Sequence, residues 1–160
     1  MKSEDIAVFD RVEYFSLLGS LANQRLSVTN LIKHILAEMQ VADSCLIICN
    51  KKTEVKHFYD ALSVLENIRV VYLTTNLCPK HRLDIIESLD ELLTNNRQGN
   101  INKLICISTQ LIEAGVDLDF DLVYREAAGL DSLIQSAGRC NREGKRMVNN
   151  QPTRDRKSVV

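Results

Sequence analysis

Ser44 to Asn50 reads SCLIICN, a continuous apolar run of strand length. A run of this kind, with no alternation, is the form of a parallel strand covered on both faces, because neither set of its side chains can be left in water. The segments on either side fit that reading. Upstream, Val28, Leu31, Ile32, Ile35, Leu36 and Met39 recur at helical spacing, and Ser27 stands where an N-cap belongs. Downstream, a helix is expected from Lys52 to Glu66, a second strand over Arg69 to Thr74 (RVVYLT), and a long helix from Pro79 to Asn96, proline being favoured at a first helical position. After a polar linker reaching Asn102, NKLICIS (Asn102 to Ser108) repeats the pattern of a buried strand. Leu122 to Arg125 makes a short fourth strand, and Asp131 to Arg139 a helix with Asp131 as its cap. Strands alternating with helices imply an α/β domain with a mostly parallel sheet and helices on both faces.

The flanks are less regular. Met1 to Gln24 offers only Val8, Val12 and Phe15, which fit an edge strand or a short helix, and from Val148 the chain is polar and basic. The expected organisation is an irregular segment (1–26) packing on one lobe (27–147), followed by a poorly ordered tail (148–160).

At 160 residues, with 45% hydrophobic and 26% charged, the chain has the make-up of a folded domain, and one of this length buries roughly 70% of its unfolded surface. A formal net charge of -1 excludes overall basicity as a means of binding polyanions, so any such contact must be local. Basic residues are dense from Arg139 to Lys157. The cysteines Cys45, Cys49, Cys78, Cys106 and Cys140 contain no CxxC pair, and Cys45 and Cys49 on one strand would stand about 13 Å apart, too far to share a metal. They read as free thiols. No apolar stretch approaches a membrane span or a signal core, so a cytoplasmic chain is expected.

Ligands of open parallel sheets collect beyond the C-terminal ends of the strands. The first strand is followed there by Asn50-Lys51-Lys52-Thr53, the second by Thr74-Thr75-Asn76, and the third by Ser108-Thr109-Gln110. Hydroxyl, amide and ammonium groups suit phosphate oxygens, and helix N-termini add backbone donors. Any one of these residues taken alone is better explained as a helix cap. Three sets in register favour a shared anion-binding role.

Two further segments carry chemistry. In STQLIEAGVDLDFD (Ser108 to Asp121), Gly115 marks a turn or close approach that holds Asp117 just beyond it. Alternating Asp117, Asp119 and Asp121 do not make a calcium loop, since Leu122 replaces its glycine and Ala128 its glutamate. In DSLIQSAGRCNREGKR (Asp131 to Arg146), helical spacing puts Gln135, Arg139 and Arg142 on one face, while Gly138 leaves room for a close approach. Gly138, Gly144 and Lys145 have the wrong spacing for a phosphate-binding P-loop, and Arg146 stands where that loop needs a magnesium-binding hydroxyl.

Together, Thr109, Gly115 and Asp117 with Gln135, Gly138, Arg139 and Arg142 resemble motifs V and VI of the superfamily-two helicases, both carried by the second RecA-like lobe. The wording QSAGRCNREGK, with EAGVDLDFD and LIICNKKTEV, is most similar to the CRISPR-associated helicase-nuclease of type I systems. The resemblance implies a RecA-like three-layer fold and the second lobe of an ATP-dependent motor. In such a motor ATP and Mg2+ are held mainly by a first lobe that this sequence lacks. By the same resemblance Arg142 is the arginine finger, Arg139 its companion on the phosphates, and Gln135, Gly138, Gly115 and Asp117 are ATP-binding. Thr109, Asn50 and Thr75 contact the backbone of single-stranded DNA.

The implied partners are the first lobe, in cis or in trans, single-stranded DNA, and a CRISPR surveillance complex; a membrane is not among them. The nuclease of the family uses a His-Asp doublet, absent around His34, His57 and His81. The chain is therefore expected to be part of a longer or split motor, inactive alone. The same lobe of another superfamily-two DNA or RNA helicase or remodeller stays open as an alternative, as does a non-catalytic interaction module that retains the fold.

Overall fold

The computed structural model describes residues 12–16, 27–97, 103–113, 118–126, 135, 139, 147–148, 151–152 and 155–159. Its strands are β1 (Val12–Ser16), β2 (Ser44–Cys49), β3 (Ile68–Leu73), β4 (Lys103–Thr109), β5 (Leu122–Arg125), β6 (Met147–Val148), β7 (Gln151–Pro152) and β8 (Asp155–Val159). The helices described in full are α1 (Val28–Glu38), α2 (Lys52–Leu62) and α3 (Pro79–Arg97), with a 3-10 turn at Gln110–Glu113. Six strands form one sheet in the order β1-β8-β5-β2-β4-β3, every neighbouring pair parallel. β6 and β7 make a separate antiparallel pair.

β2 is the centre. Leu46 pairs with Cys106 on β4 and with Val123 on β5, and every residue from Ser44 to Cys49 is buried. Cys45, Ile47 and Cys49 join Leu31 and Ile35 of α1 and Val55, Phe58 and Leu62 of α2 in one core. Leu46 and Ile48 join Leu89 and Leu93 of α3, with Leu73, Leu104 and Phe120, in the other. The apolar run thus feeds two cores because successive side chains of a strand leave on opposite faces. The expected three-layer α/β architecture follows.

The helix ends have local causes. The Ser27 side chain accepts the Asn30 N–H at 3.2 Å and caps α1. At the other end, the Lys103 ammonium donates to the carbonyls of Met39, Gln40 and Ala42, charge placed where the helix dipole is negative. α2 stops at Leu62, short of the expected Glu66; Ser63 and Val64 are exposed, and Leu65 reaches the core from beyond the helix end.

Two flanking segments join the sheet. Val12 and Phe15 lie on β1, an edge strand and not a helix. Where composition suggests a poorly ordered tail, Asp155–Val159 forms β8 between β1 and β5, with Leu122 opposite Arg156 and Val12 opposite Asp155. Strand pairing runs through backbone N–H and C=O groups, which a polar sequence carries as fully as an apolar one. Among the described residues no helix is long and apolar enough to cross a membrane.

A buried carboxylate fixes the start of the central strand. Asp121 Oδ2 accepts from the N–H of Asp43 (2.9 Å), the N–H of Ser44 (2.7 Å) and the Ser44 hydroxyl (2.9 Å), while the Asp121 N–H lies 3.0 Å from Ser44 Oγ. The loop before β5 is thereby tied to the first residue of β2. Charge-assisted bonds of this kind contribute roughly 1.5–3 kcal/mol each, less what water returns on their loss. Asp121→Ala is expected to lower unfolding free energy by about 2–4 kcal/mol in urea titrations, and Asp121→Asn, which keeps one acceptor, by less. Equal stability of Asp121→Ala and the native chain would mean the brace contributes nothing.

Candidate functional site: two ends of one sheet

At the C-terminal end of the strands, β2, β3 and β4 deliver the polar residues expected there. Asn50 and Thr75 are exposed, whereas Thr109 is only 9% exposed and Thr74 5%. The Ser108 hydroxyl lies 2.9 Å from the Leu73 carbonyl and 2.8 Å from that of Thr109, so it braces two strand ends. Lys52 Nζ donates to Asn76 Oδ1 at 2.6 Å and joins the start of α2 to the loop after β3. These groups form one polar rim.

Asn50 is engaged more closely than its sequence context indicates. Its backbone N–H donates to Glu126 Oε2 at 2.5 Å and its side-chain oxygen accepts from Arg125 Nη1 at 2.7 Å. Arg125, 1% exposed at the end of β5, also donates to the Glu126 carbonyl at 3.1 Å. A buried guanidinium needs this satisfaction, since an uncompensated charge in a low-dielectric site is strongly destabilising. Sequence reasoning missed Arg125, Glu126 and Glu54. The available signal was a charged pair closing a strand that is otherwise apolar.

A pair of carboxyls also lies at this end. Glu54, in the first turn of α2, has its pKa raised by burial, by a hydrogen bond shared with the Glu126 carboxyl and by repulsion from it. The Cys49 thiol is pushed up to about 12 by burial and by Glu126 and Glu54, with Arg125 opposing. Burial alone pushes Cys106 up to about 12. Thiols held so far from ionisation are poor nucleophiles. Cys45, Cys49, Cys78 and Cys106 form no disulfide, as expected, and all but Cys78 are buried.

Of the second group of expected residues, Arg139 belongs to the opposite end of the sheet. The Phe120 N–H donates to the Arg139 carbonyl at 3.0 Å, which sets Arg139 beside the loop that enters β5, close to the Asp121 brace. Arg139 is 9% exposed; Gln135 is exposed and helical. Arg142, Gly138, Gly115 and Asp117 lie outside the described residues, as does the rest of the helix expected from Asp131. The described members therefore separate, Asn50, Thr75 and Thr109 at one end and Arg139 at the other. Among the described residues no three His, Cys, Asp or Glu side chains gather as a metal site.

Residues 42–145 match the family described as CRISPR-associated nuclease/helicase Cas3, C-terminal. Over 76 residues the chain is 45% identical to the CRISPR-associated nuclease/helicase Cas3 of Haloferax volcanii; the match takes in 48% of this chain and 8% of that protein. The fold is similar to that of T. fusca Cas3-ADP, with a TM-score of 0.75 and 22% identity over 93% of this chain and 18% of the other. It is also similar to a chain of a CRISPR RNA-guided surveillance complex in a pre-nicking state, with a TM-score of 0.68 and 20% identity over the same shares. The chain thus spans less than a fifth of the length of each of these relatives.

The Glu54–Glu126 pair has a pH signature. Because Glu54 holds its proton more tightly folded than unfolded, stability is greatest below the ordinary carboxyl value of 4.5. It is lost as pH rises from there through the raised folded value. Glu54→Gln keeps a donor towards Glu126 without the second charge. Its thermal midpoint is expected to exceed that of the native chain at pH 8, with the gap closing towards pH 4. Parallel profiles for the two chains would show that the carboxyls do not share a proton.

Proposed function

The chain belongs to the family of Cas3 C-terminal domains, and from that premise we propose that it is the second motor lobe of an ATP-dependent DNA helicase acting in CRISPR interference. The observation that carries this reading is the placement of Asn50, Thr75 and Thr109 at one end of the sheet and of Arg139 at the other. A motor lobe must hold a polymer with one surface and a nucleotide with another, so that a change at one is felt at the other.

In this reading Asn50, Thr75 and Thr109 grip the phosphates of single-stranded DNA. Their hydroxyls and amides carry little sequence information, as a translocating grip requires. In the same reading Arg139, Arg142, Gln135, Gly138, Gly115 and Asp117 meet ATP. Guanidinium and amide donors suit phosphate oxygens, which only accept. A planar guanidinium that stays charged can stabilise charge developing on a transferring phosphoryl group. Bound ATP supplies the anhydride whose hydrolysis releases the closed state, and Mg2+ belongs with the carboxylates of the first lobe. Likeness to a chain of a surveillance complex supports docking on such a complex, with the first lobe joined in cis or in trans.

Arginine fingers contribute roughly 10³- to 10⁵-fold in rate. DNA-stimulated ATP hydrolysis by this chain joined to a P-loop lobe is expected to fall by about that factor in Arg142→Ala, with folding and DNA binding retained, while the chain alone turns over no ATP. Equal rates for the native and Arg142→Ala proteins would remove the finger role and leave a non-catalytic module of the same fold.

A further inference from the structure

Between α2 and the C-terminal end of β3 lies a cavity of about 400 Å³ that the polymer grip described above does not use. Its walls are Tyr59 and Tyr72, its rim carries Lys52 and Lys56, and Thr74 and Asn76 close the end nearest the strand tips. We propose that this cavity is a subsite for one nucleobase of the single strand, a reading that rests on the lobe being a DNA-binding motor element.

The aromatic pair gives the cavity its shape. The Tyr59 and Tyr72 ring centroids are 4.9 Å apart with their planes at 66°, so the rings meet as a corner and do not cover one another. Tyr72 is 39% exposed on the edge strand β3, and a flat heterocycle entering the corner can stack on it while meeting the edge of Tyr59. The volume falls at the lower end of the range of small-ligand sites, roughly 300–1,000 Å³. That suits one base with its sugar.

The polar groups favour a nucleotide over a purely apolar guest. Lys52 is fixed by its bond to Asn76 Oδ1, which leaves the Asn76 NH2 group to donate to a base edge, and the Thr74 hydroxyl can donate or accept. The Lys52 ammonium can take the phosphate attached to the same nucleotide. Asp60 offsets Lys56 through an exposed ion pair of 3.3 Å, leaving Lys52 as the cation that matters. The cavity adjoins Thr75 and Asn76, so a strand held along the rim need only turn one base inward to fill it.

The test is the affinity of this chain for two fluorescein-labelled oligonucleotides of equal length, one an ordinary single strand and the other abasic throughout, for native, Tyr72→Leu and Tyr72→Phe proteins. One stacked base contributes about 5- to 100-fold in affinity. The native chain should prefer the ordinary strand by a factor in that range, Tyr72→Leu should lose the preference, and Tyr72→Phe should keep it. A 2-aminopurine strand should be quenched by the native and Tyr72→Phe proteins but not by Tyr72→Leu. Equal native affinity for the two strands, or an unchanged preference in Tyr72→Leu, overturns the subsite and leaves the phosphate grip standing. Failure of the native chain to bind either strand at low salt overturns the polymer-grip reading and the subsite with it.

Discussion

Six consecutive residues of β2 have no side chain in water, and most of the structure answers to that fact. A buried strand cannot satisfy its own N–H and C=O groups, so it needs a paired strand on each side; β4 and β5 supply them. Nor can it leave either face bare, so α1 and α2 must cover one and α3 the other. Its two ends are then the places where backbone pairing stops and side chains take over. Asp121 closes the first end and the Asn50–Arg125–Glu126 group the last. The two candidate surfaces grow from these closures.

Whatever is encoded locally could be read in advance. The apolar runs of β2 and β4, the helical spacing of α1, its Ser27 cap and the proline opening α3 each sit within a few residues of the structure they specify, and they emerge within a residue or so of expectation. Polar chemistry that joins distant parts could not be read so. Arg125 closes a strand, and the Asn50 oxygen that satisfies it is 75 residues away. Asp121 looks like one of a row of acidic residues until Ser44, 77 residues back, is found within its reach. β8 escaped notice for another reason: DRKSV shows no apolar pattern, and a parallel ladder does not require one. At the candidate site the rim residues were legible because strand ends recur in register. The carboxyl pair beneath them was not, because its members come from different elements.

The separation of the two ends also constrains how any signal crosses the lobe. β2 and β5 run from the Asp121–Arg139 end to the Asn50–Glu126 end, in continuous register from Cys45 opposite Leu122 to Ile48 opposite Arg125. Packed, fully paired strands deform little. A displacement imposed at one end is therefore passed on as movement of the whole lobe, and adjustment is confined to the loops and side chains of the rims.

The position of β8 bears on how the chain is made. Among the described residues β1 pairs only with β8, so Val12–Ser16 leave the ribosome long before the strand that will hold them. During synthesis β2, β3, β4 and β5 can assemble around their two cores while β1 has no docking edge, and β8 must later enter between two strands instead of adding to the outside. Contacts that span nearly the whole chain are the slowest to close. Until they do, the bare edge of β5 is open to strands of other nascent chains.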